Sequence, residues 1–206
     1  LRVQINFSPF WEKPPFFFWL QVGAMKIFGI NEFAARFPNA LFGLIYLFTF
    51  YFIGKKHFTA TLGLIWAIVF FGSFLPHLYF KSGIIDPVFN YFIFMSIYFL
   101  MRVLSKEEDK LGRLALYSGI FSGLSVITKG PVGFLLLGLT LFVYLLLKKF
   151  KPFPKIKHIL LFFFGLTIII GAWLSMEVAQ NGFAVLQQFI EYQIELFNQP
   201  VAGHDQ

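Results

Sequence analysis

The chain has 206 residues, of which 58% are hydrophobic, 21% aromatic and only 13% charged. A typical soluble domain carries about 25% charged residues, and 32 phenylalanines cannot be hidden in one water-soluble core of this size. Composition therefore excludes an ordinary soluble domain and predicts an all-α polytopic membrane helix bundle. The net charge of +7 does not point to nucleic acid, because the basic residues cluster in short loops between apolar runs. The absence of cysteine excludes disulfides and thiolate metal sites.

The chain opens without methionine in a polar stretch and closes in another, so 1–206 reads as a fragment of one longer membrane domain. Residues 1–34 are expected to form an outer loop. Within it, Trp11-Glu12-Lys13-Pro14-Pro15 sets an acid beside a base against two prolines, followed by Phe16-Phe17-Phe18-Trp19-Leu20. Charges at the bilayer edge are costly and tend to mark function, and the prolines fix the backbone that carries them. The stretch 15–29 predicts a short helix ending at Gly29, with Lys26 near its C-terminus where a cation suits the dipole. Its Phe, Trp and Leu content predicts a position in the membrane interface. Asn31 or Gly29 starts the next helix, with Glu32 in its first turn.

Six apolar runs follow, at 35–54, 58–75, 87–101, 114–128, 132–147 and 159–176. A hydrocarbon core about 30 Å thick needs about 20 residues of helix. The third, fourth and fifth runs are short. They either extend into their loops, or the fourth and fifth form one hairpin interrupted at Lys129-Gly130-Pro131. Residues 177–206 are expected to form a second outer segment, with a helix over 183–197 that turns Phe183, Leu186, Phe189 and Ile190 to one face.

The loops alternate in charge. Lys55 and Lys56, then Arg102, Lys106, Lys110 and Arg113, then Lys148, Lys149, Lys151, Lys155 and Lys157 make eleven of the 17 basic residues. The positive-inside rule places these in the cytoplasm. The segments 1–34, 77–86, 129–131 and 177–206 then share the outer side. His57 and His158 fall in the basic loops and are expected to be solvated, as are Glu191 and Glu195 on the outer helix.

Several residues on that outer side could carry chemistry. Asp86-Pro87 opens the third run, where an acid caps exposed N–H groups and proline suits the first turn; capping alone and capping with function both fit. Lys129 sits at a helix break, either snorkelling to the interface or building an anion site. His204 lies in Ala202-Gly203-His204, and Glu12 with His204 makes a weak candidate metal pair. Cations and carboxylates at this level suit a substrate with a phosphate head and a long apolar tail. Lysines would hold the phosphate and a carboxylate would take a proton from an attacking hydroxyl.

The segments from Trp11 to Leu20 and Phe28 to Pro38, with Ile85-Asp86-Pro87, Thr128-Lys129-Gly130-Pro131-Val132-Gly133 and Ala202-Gly203-His204 in that order, resemble the protein mannosyltransferase and aminoarabinose (lipid A) transferase superfamily. The resemblance spans nearly the whole chain. It implies the GT-C architecture and a glycosyltransferase that moves a sugar from a polyprenyl-phosphate donor to a lipid or protein acceptor. Both lipid A modification and protein mannosylation fall in that class. It places the protein in the bacterial inner membrane among membrane lipids, with its active site on the periplasmic side. It also assigns roles: Lys13 to the donor phosphate, Asp86 to the catalytic aspartate of the second outer loop, and Glu12 with His204 to a divalent ion, zinc or magnesium. Lys129 is added as a second donor-phosphate contact. The superfamily's leading Asp-Glu pair, which carries the presumed general base, would stand before Leu1. Phe10 stands where some lipid A transferases have tyrosine, which weakens any transfer of their sugar preference. The rival readings are a non-catalytic transporter of lipid-linked substrate, which predicts charges through the membrane interior, and a non-catalytic scaffold.

Overall fold

The computed structural model describes residues 4–5, 8–9, 13–105, 110–151 and 153–198. A two-residue antiparallel pair, β1 (Gln4–Ile5) with β2 (Ser8–Pro9), precedes a bundle of α-helices. These are α1 (Phe16–Phe28), α2 (Glu32–His57), α3 (Ala60–Gly72), α4 (Phe74–Lys81), α5 (Asp86–Ser105), α6 (Leu111–Lys129), α7 (Val132–Leu147), α8 (Ile156–Asn181) and α9 (Ala184–Asn198).

Local chemistry sets most of these boundaries. Gly29 ends α1 at φ 81°, a conformation that costs glycine little. Asn31 then starts α2, its Oδ1 accepting the Ala34 amide at 2.8 Å. Thr59 caps α3 the same way through the Leu62 amide. The 58–75 run, expected as one helix, is two. Ser73 is extended, its Oγ donates to the Val69 carbonyl at 2.7 Å, and the chain bends by 67° into α4. The 87–101 and 114–128 runs lengthen into α5 and α6 by recruiting loop residues at both ends. Among the described residues four helices, α2, α5, α6 and α8, are long and apolar enough to cross a membrane, and the bent α3–α4 pair makes a fifth if it is one span. At 16 residues α7 reaches about 24 Å, at roughly 1.5 Å per residue.

Side-chain pairs fix the direction of each helix. On α2 and α3, Phe50 stacks on Trp66 at 4.5 Å and Tyr46 on Phe70 at 5.2 Å, so these helices run antiparallel. Tyr46 with Tyr91 and His57 with Tyr98 make α2 and α5 parallel. Ser96 with Ser118 and Phe92 with Phe121 make α5 and α6 antiparallel. Gly112 beside Leu161 and Gly123 beside Leu166 and Ile169 make α6 and α8 parallel, and Gly119 and Gly165 let their backbones meet: a Cβ on Gly165 would lie 2.6 Å from the Leu116 carbonyl, and one on Gly119 would meet the Phe162 carbonyl. Small residues at such crossings let helices approach where the surroundings are as apolar as the side chains. The alternation therefore collects Lys55, Lys56, Arg102, Lys110, Arg113 and the lysines of 148–157 at one end, the basic end. Asp86 and Lys129 stand at the other.

The core nearest that other end is Phe17, Phe42, Ile85, Val88 and Phe92, with Phe16, Leu20 and Leu124 packed on it. Two polar residues depart from expectation. His158 belongs to α8, not a solvated loop, because the helix begins at Ile156; the residue is only 5% exposed. Glu177, the expected start of the outer segment 177–206, lies on the last turns of α8, and is buried with its carboxylate accepting from Asn181 Nδ2 at 3.1 Å.

Candidate active site

The antiparallel pairing of α5 and α6 brings the first residue of one beside the last residue of the other. Lys129 Nζ donates to Asp86 Oδ1 at 2.6 Å across 43 residues of sequence. Each charge also sits at the helix end that favours it, an anion at the N-terminus of α5 and a cation at the C-terminus of α6. The side chains keep 35% and 30% exposure, so the pair remains reachable from outside the bundle. Exposed ion pairs of this kind contribute about 1 kcal/mol or less to stability. The ammonium also lies 5.3 Å from the Phe89 ring centroid, a cation–π contact that holds it over the first turn of α5.

The break that ends α6 is built by Gly130 at φ 91°, whose amide still reaches the Val126 carbonyl at 2.8 Å. Pro131 opens the next helix, where its missing N–H costs nothing. Gly133 then lies against Ser125 and Phe89. So Lys129 stands on a rigid corner, as the sequence motif led us to expect, but its partner is a carboxylate of the same chain.

Asp86 is held from behind by a residue the sequence reading passed over. Asn39, on α2, is fully buried, and its Nδ2 donates to the carbonyls of Ser82 at 2.6 Å and Ile84 at 2.7 Å, with Tyr79 at 3.4 Å. Three carbonyls around one nitrogen fix the amide's orientation, since an oxygen there would face only acceptors. This clamp gathers the turn between α4 and α5. Tyr46 OH donates to the Pro87 carbonyl at 3.2 Å from the same helix. Gln21 Nε2 donates to the Ala35 carbonyl at 2.9 Å, tying α1 to α2 next to Gly83. The only signal in sequence was a polar residue inside an apolar helix, which reads as easily as a surface position.

Lys13 is half-buried, and Pro14 and Pro15 behind it are buried. The Trp19 amide closes the first turn of α1 on the Pro15 carbonyl at 2.9 Å. Phe16 packs edge-on to Phe92 at 5.5 Å, and Phe17 lies in the cluster that includes Ile85 and Val88. The two prolines thus anchor Lys13 in the half of the bundle that carries Asp86 and Lys129. Glu12 and His204, the candidate metal pair, lie outside the described residues. His57, expected to be solvated, is exposed, with Nε2 3.0 Å from the Tyr98 hydroxyl.

Comparison with known proteins covers most of this bundle. Residues 12–174 match the family model described as dolichyl-phosphate-mannose-protein mannosyltransferase. Two uncharacterized proteins of Aquifex aeolicus (strain VF5) are 36% identical over 152 residues and 31% identical over 183, covering 71% and 88% of this chain but 29% and 40% of their own. An undecaprenyl phosphate-alpha-4-amino-4-deoxy-L-arabinose arabinosyl transferase of Wigglesworthia glossinidia brevipalpis is 28% identical over 151 residues, 72% of this chain and 27% of its own. Among solved structures, ArnT from Cupriavidus metallidurans bound to undecaprenyl phosphate shares the fold, with a TM-score of 0.77 at 22% identity over 88% of this chain and 34% of that one. The chain thus spans between about a quarter and two fifths of the length of the proteins it matches.

Proposed function

The chain belongs to the dolichyl-phosphate-mannose-protein mannosyltransferase family, and from that membership we propose that the whole protein is a GT-C glycosyltransferase. In this reading it moves a sugar from a polyprenyl-phosphate donor to a hydroxyl or phosphate of a lipid or protein acceptor. The reaction takes place on the outer, periplasmic side of the bacterial inner membrane. The observation that carries the reading is the gathering of Lys13, Asp86 and Lys129 in one half of an apolar bundle, within the stretch that matches the family. The solved relative holds undecaprenyl phosphate, a phosphate on a long apolar tail, which is the chemistry a lysine beside an aromatic helix suits.

The reaction is a displacement at the anomeric carbon. The acceptor oxygen forms its bond to that carbon as the bond to the donor phosphate oxygen breaks, and the phosphate leaves with the electron pair. Lys13 stabilises the charge that grows on the leaving phosphate, an effect larger in the transition state than in the ground state. Asp86 takes a hydrogen bond from an acceptor hydroxyl, turns its lone pair toward the sugar and accepts its proton as the new bond forms; an ionised acceptor phosphate oxygen has no proton to give. Lys129 orients Asp86 through their 2.6 Å contact, and is the second contact for the phosphate when the donor enters. A divalent ion on Glu12 and His204 belongs to the same proposal. One oxygen and one nitrogen donor suit zinc better than magnesium, and such an ion, if held there, would supply positive charge to offset that of the donor phosphate.

The test uses full-length protein in membranes with a panel of polyprenyl-phosphate sugars and lipid or protein acceptors, and products read by mass. Wild-type protein is expected to transfer from at least one donor. Lys13→Ala is expected to lose about 100-fold or more, the scale for one group that stabilises developing charge, with membrane insertion unchanged. Turnover at the wild-type rate in that variant would remove Lys13 from the mechanism, and no transfer with any donor would remove the enzyme.

A further inference from the structure

We propose that the cavity at the basic end of the bundle is a site for an anionic phospholipid, with part of one acyl chain inside and the headgroup phosphate held by His158 and the lysines beside it. The cavity lies among α5, α6, α7 and α8, remote from Asp86 and Lys129. Its volume is about 180 Å³, and Leu100, Leu137, Leu141, Phe153 and Phe162 line it with His158. That is room for about six waters at roughly 30 Å³ each, but an apolar wall gives water nothing to bind. A length of methylene chain suits the wall better.

Two further observations point to the head of such a lipid. His158 is 5% exposed and is the one polar side chain among the residues that line the cavity, so it is the group the wall offers to a polar head. The segment that closes the cavity also carries Lys148, Lys149, Lys151, Lys155 and Lys157, all exposed. Lys149 and Phe150 hold it in a tight turn at φ 51° and 58°, with the Phe150 amide on the Leu145 carbonyl at 2.7 Å. Non-glycine residues adopt that conformation only where the surroundings impose it. An apolar slot, an imidazole on its wall and five cations at one end match an amphiphile with a negative head. Basic residues near a leaflet surface attract anionic lipid in the same way.

The site can be filled from within. A Cβ at Gly138, on the cavity wall, would meet no atom within 4 Å, so Gly138→Leu fills the space without a backbone clash. Full-length protein stripped of lipid in detergent would be titrated with phosphatidylglycerol and with phosphatidylcholine of the same acyl chains, and bound lipid counted by native mass spectrometry. Wild-type protein is expected to retain phosphatidylglycerol at least tenfold more tightly than phosphatidylcholine. The exposed pair Lys155→Gln with Lys157→Gln is expected to reduce that preference to within twofold, and Gly138→Leu to reduce retention of phosphatidylglycerol several-fold with an unchanged melting temperature. Equal retention of the two lipids by wild-type protein would overturn the site. So would unchanged retention in both variants, as when other helices of the full chain cover the slot. Displacement of the lipid by inorganic phosphate at equal concentration would overturn the acyl-chain assignment. None of these readouts depends on sugar transfer.

Discussion

The two ends of this bundle treat charge in opposite ways. At one end an anion and a cation on opposed helix termini are joined at 2.6 Å, with Asn39 and Tyr46 bracing the backbone behind them. At the other end cations are many and exposed, and the nearest buried polar side chain, His158, faces an apolar cavity. Placed charges at the first end imply a geometry that must be kept, as a transition state demands. Massed charges at the second imply attraction to a surface, which tolerates imprecision. The same residue type is therefore held differently at each end, and the supporting shell is what separates them.

That contrast can be broken at several points. The largest expected effect is the loss of transfer in Lys13→Ala, about 100-fold or more; the same change at Lys56 is expected to leave transfer within twofold. Asn39→Leu comes next. It removes the donor to three carbonyls, so the turn that presents Asp86 is expected to shift, lowering the maximal rate by roughly tenfold to a hundredfold with donor KM little changed. Asn39→Asp should do no better, since a carboxylate would face carbonyl oxygens. Rescue of transfer by Asn39→Asp would show that the amide donor is not the point.

A smaller effect is expected from the ion pair. Asp86→Asn and Lys129→Met together should couple by about 1 kcal/mol in stability, as partial exposure allows, while each alone lowers transfer. Full additivity in thermal melts of the four proteins would mean that the 2.6 Å contact does not persist. Gly119→Ala tests the scaffold instead. Its new methyl would strike the Phe162 carbonyl, and overpacking of this kind costs about 1–3 kcal/mol, read as a lower melting temperature. The smallest effect is expected from Lys148→Gln with Lys149→Gln, which should leave transfer unchanged and lower only the salt-sensitive retention of anionic lipid.

Much of the architecture was legible in the chain. Apolar runs about as long as a bilayer is thick could only be helices, because backbone polar groups have no other partner there. Gly29, Asn31 and Gly130 marked their helix ends, since glycine tolerates a positive φ and an asparagine side chain caps a free amide. Charge asymmetry grouped Asp86, Lys129 and Lys13 before any fold was in view. What the sequence could not give was contact. The bend at Ser73, the burial of His158 and Glu177, and the clamp on the turn before Asp86 each depend on which helix lies alongside, and Asn39 and Lys129 reach partners 40 to 45 residues away in the chain. Hydrophobicity and helix-end chemistry are local and can be read one residue after another; the pairing of Lys129 with Asp86 exists only because α5 and α6 pack antiparallel, a fact of shape that no single segment contains.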